Sequence, residues 1–208
     1  MATAPSHLPA IVARAQAAAG PWGKLPLGQR ARCLVRLRGL VAQESREIAK
    51  AIARDTGKPL IDALLFEVAR TTDTLDACIA FARDDLTDPP VPAKHSLPAL
   101  LGAYGAVLLP CTPCAVVCVI APVGSPFQLA LTPAVLALAA GNAVIVKPCS
   151  SVPQVAALIE WLFDEALGHF PGLAQVVPGS GAVGAALVNC DGVDAVVSAE
   201  LATDKAQP

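Results

Sequence analysis

Ala143-Val144-Ile145-Val146-Lys147-Pro148 runs four apolar residues into a lysine and stops on a proline. A strand buried on both faces of a parallel sheet is continuously apolar rather than alternating, and proline cannot extend the hydrogen-bonded ladder. The stretch therefore reads as a central strand with a cation at its carboxyl end. Just upstream, residues 127–140 carry apolar positions at helical spacing, and residues 115–121 (AVVCVIA) form a second, β-branched core strand. Downstream, residues 152–167 read as an amphipathic helix, 175–177 as a short strand, 182–188 as a helix and 195–197 as a last strand. Alternating strands and helices are the pattern of a doubly wound α/β parallel sheet, whose ligands bind beyond the carboxyl ends of the strands. With no helix legible after Val197, the sheet reads as a truncated, Rossmann-like one.

Further towards the N-terminus the periodicity is helical. Residues 5–19 form an Ala-rich helical pattern closed by Gly20-Pro21. A long helix over 27–56 has Leu34, Val35, Leu40, Val41, Ile48 and Ile52 as its apolar stripe, with Arg30, Arg32, Arg36 and Arg38 mostly opposite. Gly57 followed by Lys58-Pro59 is a helix stop with a C-terminal cation. A third helix spans 60–85, and Asp88-Pro89-Pro90-Val91-Pro92 is a stiff connector to an extended hairpin over 97–109, with Gly102 and Gly105 near its turn. The organisation expected is a helical flank over 1–92, a hairpin segment over 93–114 and the nucleotide-binding type of sheet over 115–208.

Composition narrows the function classes. The net charge of -2, from 15 basic and 17 acidic residues, leaves no basic face for nucleic acid beyond the helical arginines. No Asp, Glu, Lys or Arg occurs between His95 and Lys147, which reads at first as membrane. A spanning helix needs ~20 uninterrupted apolar residues, and Pro110, Pro113, Pro122, Pro126 and Pro133 divide this stretch, so no membrane span is expected. The N-terminus lacks a basic region followed by an apolar core, and the seven cysteines are irregularly spaced, so reduced thiols and a cytoplasmic location are expected.

Two further motifs carry alternatives. Gly179-Ser180-Gly181-Ala182-Val183-Gly184 fits G-x-G-x-x-G after a strand, with Glu200 about 20 residues on, so it reads either as a pyrophosphate cradle or as a tight strand-to-helix turn. Cys111-Thr112-Pro113-Cys114 with Cys118 offers metal-type or redox spacing, but His7, His95 and His169 lie elsewhere, so a loop of small thiols is the plainer reading and no metal is expected. Lys147 likewise reads as a nucleotide ligand or as a surface lysine at a strand end.

Taken together, Leu25-Pro26-Leu27, Asp55-Thr56-Gly57-Lys58-Pro59, Val119-Ile120-Ala121-Pro122, and Leu138-Ala139-Ala140-Gly141-Asn142 continuing to Lys147-Pro148 resemble, in order, the aldehyde dehydrogenase superfamily. The resemblance covers about residues 10 to 198. It implies NAD or NADP as cofactor and an oxidation in which a cysteine thiolate adds to an aldehyde, hydride passes to the cofactor, and glutamate-activated water releases the acid. Carried residue by residue, it makes Lys147 the lysine that hydrogen-bonds the adenosine ribose, Ala121-Pro122 backbone lining the cofactor cleft, and Gly181 the glycine near the adenine. It also likens the 97–109 hairpin to the family's oligomerisation strands, which suggests a homo-oligomer or pairing with a full-length relative.

The sequence departs from the family pattern at four points. Val123-Gly124-Ser125-Pro126 replaces Trp-Asn-Phe-Pro, so Gly124 lacks the amide that helps hold the oxyanion; one such donor is worth about 3 kcal/mol. Cys149-Ser150 replaces Ser-Glu, so Ser150 stands where a carboxylate would repel a ribose phosphate. Ser198-Ala199-Glu200-Leu201 replaces the Phe-Thr-Gly-Ser turn. Finally, the family's nucleophilic Cys and general-base Glu match no residue here, so no catalytic residue is assigned. The expectation is a truncated or degenerate aldehyde dehydrogenase, inactive alone; a non-catalytic interaction module or pseudoenzyme and a membrane protein are the alternatives.

Overall fold

The computed structural model describes residues 3–84 and 115–198. The predicted hairpin over 97–109, the connector at 88–92, Cys111, Cys114 and Glu200 lie outside the described residues.

A 3-10 turn (Pro5–His7) leads into α1 (Leu8–Gly23), followed by α2 (Leu27–Gln43) and α3 (Ser45–Thr56). The chain then runs through α4 (Leu60–Asp62) and a π-helical stretch (Ala63–Ala69) into α5 (Arg70–Asp84). Next come β1 (Val116–Ile120), α6 (Gln128–Ala139), β2 (Ala143–Lys147), α7 (Pro153–Leu167), β3 (Ala174–Val176), α8 (Gly181–Val188) and β4 (Ala195–Ser198). All pairings are parallel and the strand order is β3-β2-β1-β4, so the doubly wound α/β sheet expected from the alternation is present. β2 is buried throughout, whereas the edge strand β4 leaves Val196 exposed.

The periodicity predicts one helix over 27–56, but two are present. They meet at Glu44, whose ψ of 10° breaks the ladder although no Gly or Pro marks the site. The predicted stripe is buried at Leu34, Val41, Ile48 and Ile52, whereas Leu37 joins it and Val35 is exposed. Gly20-Pro21 does not close the first helix either; Pro21 is accommodated inside α1, which runs on until Trp22 is fully buried.

The helical flank and the sheet form a continuous core, joined most clearly at α6. This helix carries no charge, and the last carbonyls of an α-helix have no internal partner. Here Ala137 O accepts from Asn142 Nδ2 at 3.1 Å, Leu138 O from Trp22 Nε1 at 2.9 Å, and Ala139 O from Arg30 Nη1 at 2.7 Å. Gly141 leaves the helix with φ of 99°, a left-handed conformation that favours glycine. Asn142 Oδ1 meanwhile accepts from the Ala115 N–H at 3.2 Å. The Ala-Ala-Gly-Asn stretch is thus a helix stop that fixes where β1 and β2 begin. Trp22 also packs edge-on against Phe170, ring centroids 5.0 Å apart.

Candidate nucleotide-binding site

The site lies at the carboxyl ends of β1, β2 and β3. Ala121 is buried and its N–H donates to Lys147 O at 3.0 Å, so the chain leaving β1 is tied to the last residue of β2. Lys147 is only 7% exposed, and no carboxylate partners it among the described residues. Its stem runs beside α8: a Cβ added at Gly184 would lie 3.6 Å from Lys147 Cδ and Cε. With no acid beside it, the ammonium at the end of this packed stem is left to pair with a ligand that brings acceptors.

Next to it opens a cleft of about 490 Å³ between α7 and the turn that leads into α8, walled by Cys149, Ser150, Pro153, Val176, Gly179 and Ser180 among others. Of the predicted positions only Ser150 lines this cleft, while Lys147 and Gly181 adjoin the wall residues Cys149 and Ser180 in the chain. Ser150 is exposed in the cleft wall, Lys147 is the last residue of β2, and Gly181 is exposed at the start of α8, where an added Cβ would meet nothing within 4 Å. Ala121 and Pro122 lie at the end of the neighbouring strand, not in the wall of the cleft.

The glycine fingerprint resolves position by position. A Cβ on Gly179 would sit 2.7 Å from Val183 Cγ2, so that glycine is demanded by packing of the turn. Gly184 accommodates the Lys147 stem, while Gly181 is open. Only the last feature leaves backbone free for a ligand.

Two acids that no sequence motif singled out as site residues shape the surroundings. Asp55 accepts from the N–H groups of Gln154 at 2.8 Å and Val155 at 2.9 Å, and from Gln154 Nε2 at 3.2 Å. Glu67, fully buried, accepts from the Phe127 N–H at 3.0 Å at the start of α6. Each carboxylate occupies a helix N-terminus, where N–H groups and the helix dipole favour negative charge. An ordinary dinucleotide fold leaves such an end open for phosphate. Here α6 and α7 are filled from the flank, while Ser180 at the start of α8 makes no side-chain cap. Lys58, expected as a cation for the end of α3, reaches instead to Glu67 Oε1 at 2.7 Å and to Gly124 O. The signal for Asp55 and Lys58 was the Asp-Thr-Gly-Lys-Pro stretch; nothing local marked Glu67.

The cleft differs from the sequence expectation in two respects. Glu160, exposed on α7, contributes a carboxylate that the Ser150 substitution alone does not anticipate. Cys149 contributes a thiol held 3.2 Å from Ser151 Oγ; hydrogen bonding from Ser151, aided by the charge of Lys147, moves it below the ordinary thiol range. Cys78 and Cys118 are pushed up to about 12 by burial and stay protonated. Among the described residues no three His, Cys, Asp or Glu side chains converge as a metal site, and no helix is long and apolar enough to cross a membrane.

The sheet with its helical flank resembles known proteins. The chain is 34% identical over 172 residues to a 2-aminomuconic 6-semialdehyde dehydrogenase of a Pseudomonas species, covering 83% of this chain and 34% of that protein. It is 32% identical over 187 residues to the N-succinylglutamate 5-semialdehyde dehydrogenase of Novosphingobium aromaticivorans, covering 90% and 38%. The P. syringae indole-3-acetaldehyde dehydrogenase, solved as a variant with NAD+ and IAA, superposes with a TM-score of 0.78 at 28% identity over 95% of this chain and 38% of that one. The aldehyde dehydrogenase KauB of Pseudomonas aeruginosa gives 0.77 at 27%, over 94% and 38%. The chain therefore spans well under half the length of these relatives. Residues 2–199 match the aldehyde dehydrogenase family model, and with that match over nearly its whole length the chain belongs to the aldehyde dehydrogenase family.

Proposed function

We propose that this chain forms the nucleotide-binding portion of an NAD(P)-dependent aldehyde dehydrogenase, holding the adenosine end of the cofactor between Lys147 and the cleft of α7 and α8. The observation that carries this reading is Lys147, a lysine only 7% exposed and unmatched by any acid among the described residues, beside a cavity of about 490 Å³. A ribose supplies hydroxyl oxygens to such a donor, and the residues present fit that group. Ser150 and Ser180 offer further hydroxyls, and Gly181 leaves the backbone of α8 open. When bound, the dinucleotide supplies a hydride acceptor. This chain's residues bind and orient it.

Among the described cysteines, Cys78 and Cys118 are buried and stay protonated, Cys33 is pushed up by partial burial, Cys190 is half-buried, and the one thiol moved below its ordinary range, Cys149, stands in the wall of the proposed nucleotide cleft. Gly124 brings no amide to an oxyanion. By these residues alone the chain binds without oxidising.

Binding is expected to be weak. A charge-assisted hydrogen bond contributes ~1.5 to 3 kcal/mol, which by itself does not offset the immobilisation of a dinucleotide, so a Kd near 1 mM, about -4 kcal/mol, is expected. Nuclear magnetic resonance titration with NAD+ and NADP+ tests this, with shifts expected at 147–150 and 179–184 and loss of binding in Lys147→Met. Micromolar affinity, or a variant that binds like the wild type, would place the site elsewhere.

A further inference from the structure

The residues before β1 and those after it are joined by one buried ionic group. Glu67 is fully buried, so both carboxylate oxygens need donors. Oε1 accepts from Lys58 Nζ at 2.7 Å and Oε2 from the Phe127 N–H at 3.0 Å, while the same Lys58 ammonium donates to Gly124 O. Two side chains from the helical flank thus hold the start and the end of the 124–127 segment. The other end of the same loop is fixed by the bond from the Ala121 N–H to Lys147 O.

Local geometry shows that this arrangement is built. Glu67 belongs to the π-helical stretch Ala63–Ala69. Such turns are rare and re-aim side chains, often at functional sites. Here Leu65 and Phe66 are left exposed while Glu67 points inward. Gly57, with φ of 75°, ends α3 so that Lys58 leaves the helix, and the Lys58 N–H is held by Thr56 Oγ1 at 3.3 Å. Phe127 lies at the N-terminus of α6, which makes no side-chain cap of its own.

We propose that Lys58 and Glu67 are positioning residues that pre-set the loop from Pro122 to Phe127 and, through the bond from the Ala121 N–H to Lys147 O at its near end, the placement of Lys147 for the bound cofactor. This rests on the reading of the cleft as a nucleotide site. A loop already ordered in the free protein does not have to be ordered on binding. Loss of the pair therefore weakens the cofactor's grip without removing any group that touches it.

The test pairs nucleotide titration with amide exchange on the purified chain. Lys58→Met alone leaves the Glu67 charge buried and unpaired, and this variant is at risk of unfolding. The double variant Lys58→Met with Glu67→Leu removes both charges; replacing a buried pair by apolar residues is often neutral for stability. In that variant the Phe127 amide is expected to exchange about tenfold faster, and the NAD+ and NADP+ affinities to fall about tenfold, the loss of roughly one modest hydrogen bond. Exchange of the β2 amides, which reports global opening, should stay at the wild-type rate. Lys58→Arg, which keeps the charge and donors, should retain both loop exchange and affinity. Wild-type exchange at Phe127 in the double variant would overturn the clamp, and faster exchange with unchanged affinity would overturn its link to binding. If the wild type binds neither nucleotide, the reading of the cleft fails, and with it the role in binding, while the exchange measurement still decides whether the pair holds the loop.

Discussion

The two outer glycines of the Gly179 to Gly184 turn should respond to the same substitution with opposite signs. Gly184 sits inside α8, where alanine is favoured over glycine by ~0.8 to 1.0 kcal/mol. The added methyl would meet Lys147 Cδ and Cε at 3.6 Å, an ordinary van der Waals distance, so no repacking opposes it. Gly184→Ala should therefore stabilise the chain by about 1 kcal/mol, or ~2 to 4 °C in Tm for a chain of this size. At Gly179 the methyl would fall 2.7, 2.9 and 3.1 Å from three atoms of the Val183 side chain, which is 4% exposed. A β-branched side chain has little rotamer freedom with which to yield, and overpacking of this kind costs about 1 to 3 kcal/mol. Urea unfolding followed by tryptophan fluorescence measures both, provided the denaturant slope is unchanged. Destabilisation by Gly184→Ala, or a neutral Gly179→Ala, would refute the argument that packing rather than phosphate approach explains these glycines. A pyrophosphate cradle would instead predict that Gly184→Ala abolishes nucleotide binding, which the titration should show it does not.

Other expectations follow from the same geometry. Asp55→Ala removes the carboxylate that caps the N-terminus of α7 and should destabilise the chain by ~1 to 2 kcal/mol, the usual range for a lost cap, whereas Asp55→Asn, which keeps an acceptor, should lose less; equal losses in urea unfolding would argue against the capping role. Among the described cysteines, Cys149 should be alkylated first by iodoacetamide in the native state, because Ser151 and Lys147 favour its thiolate. Its rate should rise with pH through a midpoint below that of an ordinary thiol, while Cys78 and Cys118, held near 12, react only on unfolding; peptide mapping that finds Cys78 or Cys118 modified first would contradict this. Leu60, Ile61, Leu65 and Phe66 are 45 to 57% exposed within α4 and the π stretch, so the chain should self-associate at micromolar concentration. Light scattering should show Phe66→Glu shifting it towards monomer, and a clean wild-type monomer would refute the expectation.

The sheet was legible because its signals are local. Residues 143–147 are apolar and β-branched up to Lys147, and each boundary from β1 to β4 is readable within about two residues of its position. Gly141 and Asn142 stood out only through the family resemblance, not as the device that sets β1 against β2. What escaped was decided by contacts between distant segments. Glu44 breaks the long helix with no Gly or Pro to announce it, because the flank must turn to cover the sheet. Pro21 stays within α1 because Trp22 beyond it is buried and bonded to Leu138 O. At the site, Lys147, Ser150 and Gly181 are named from motif position. Asp55, Glu67 and Glu160 were missed because their partners lie 99, 60 and many residues away or are only walls of a cleft. A carboxylate on a helix gives no sign in sequence of which N-terminus it will meet.

The capping of α6 has a consequence for how the chain reaches this structure. Trp22 and Arg30 satisfy carbonyls 116 and 109 residues further on, and Glu67 holds an N–H 60 residues further on. An uncharged helix with unsatisfied ends is a poor independent unit, so α6 cannot mature until the flank closes over it. Contacts of such long separation make folding slow and leave apolar surface open in the meantime. During synthesis the flank emerges first and is already waiting when α6 leaves the ribosome. Supplied in the opposite order, as in a circular permutant beginning at β1, the same residues would present a bare apolar helix before anything could cover it, and the yield of folded protein should fall even though every native contact is still available.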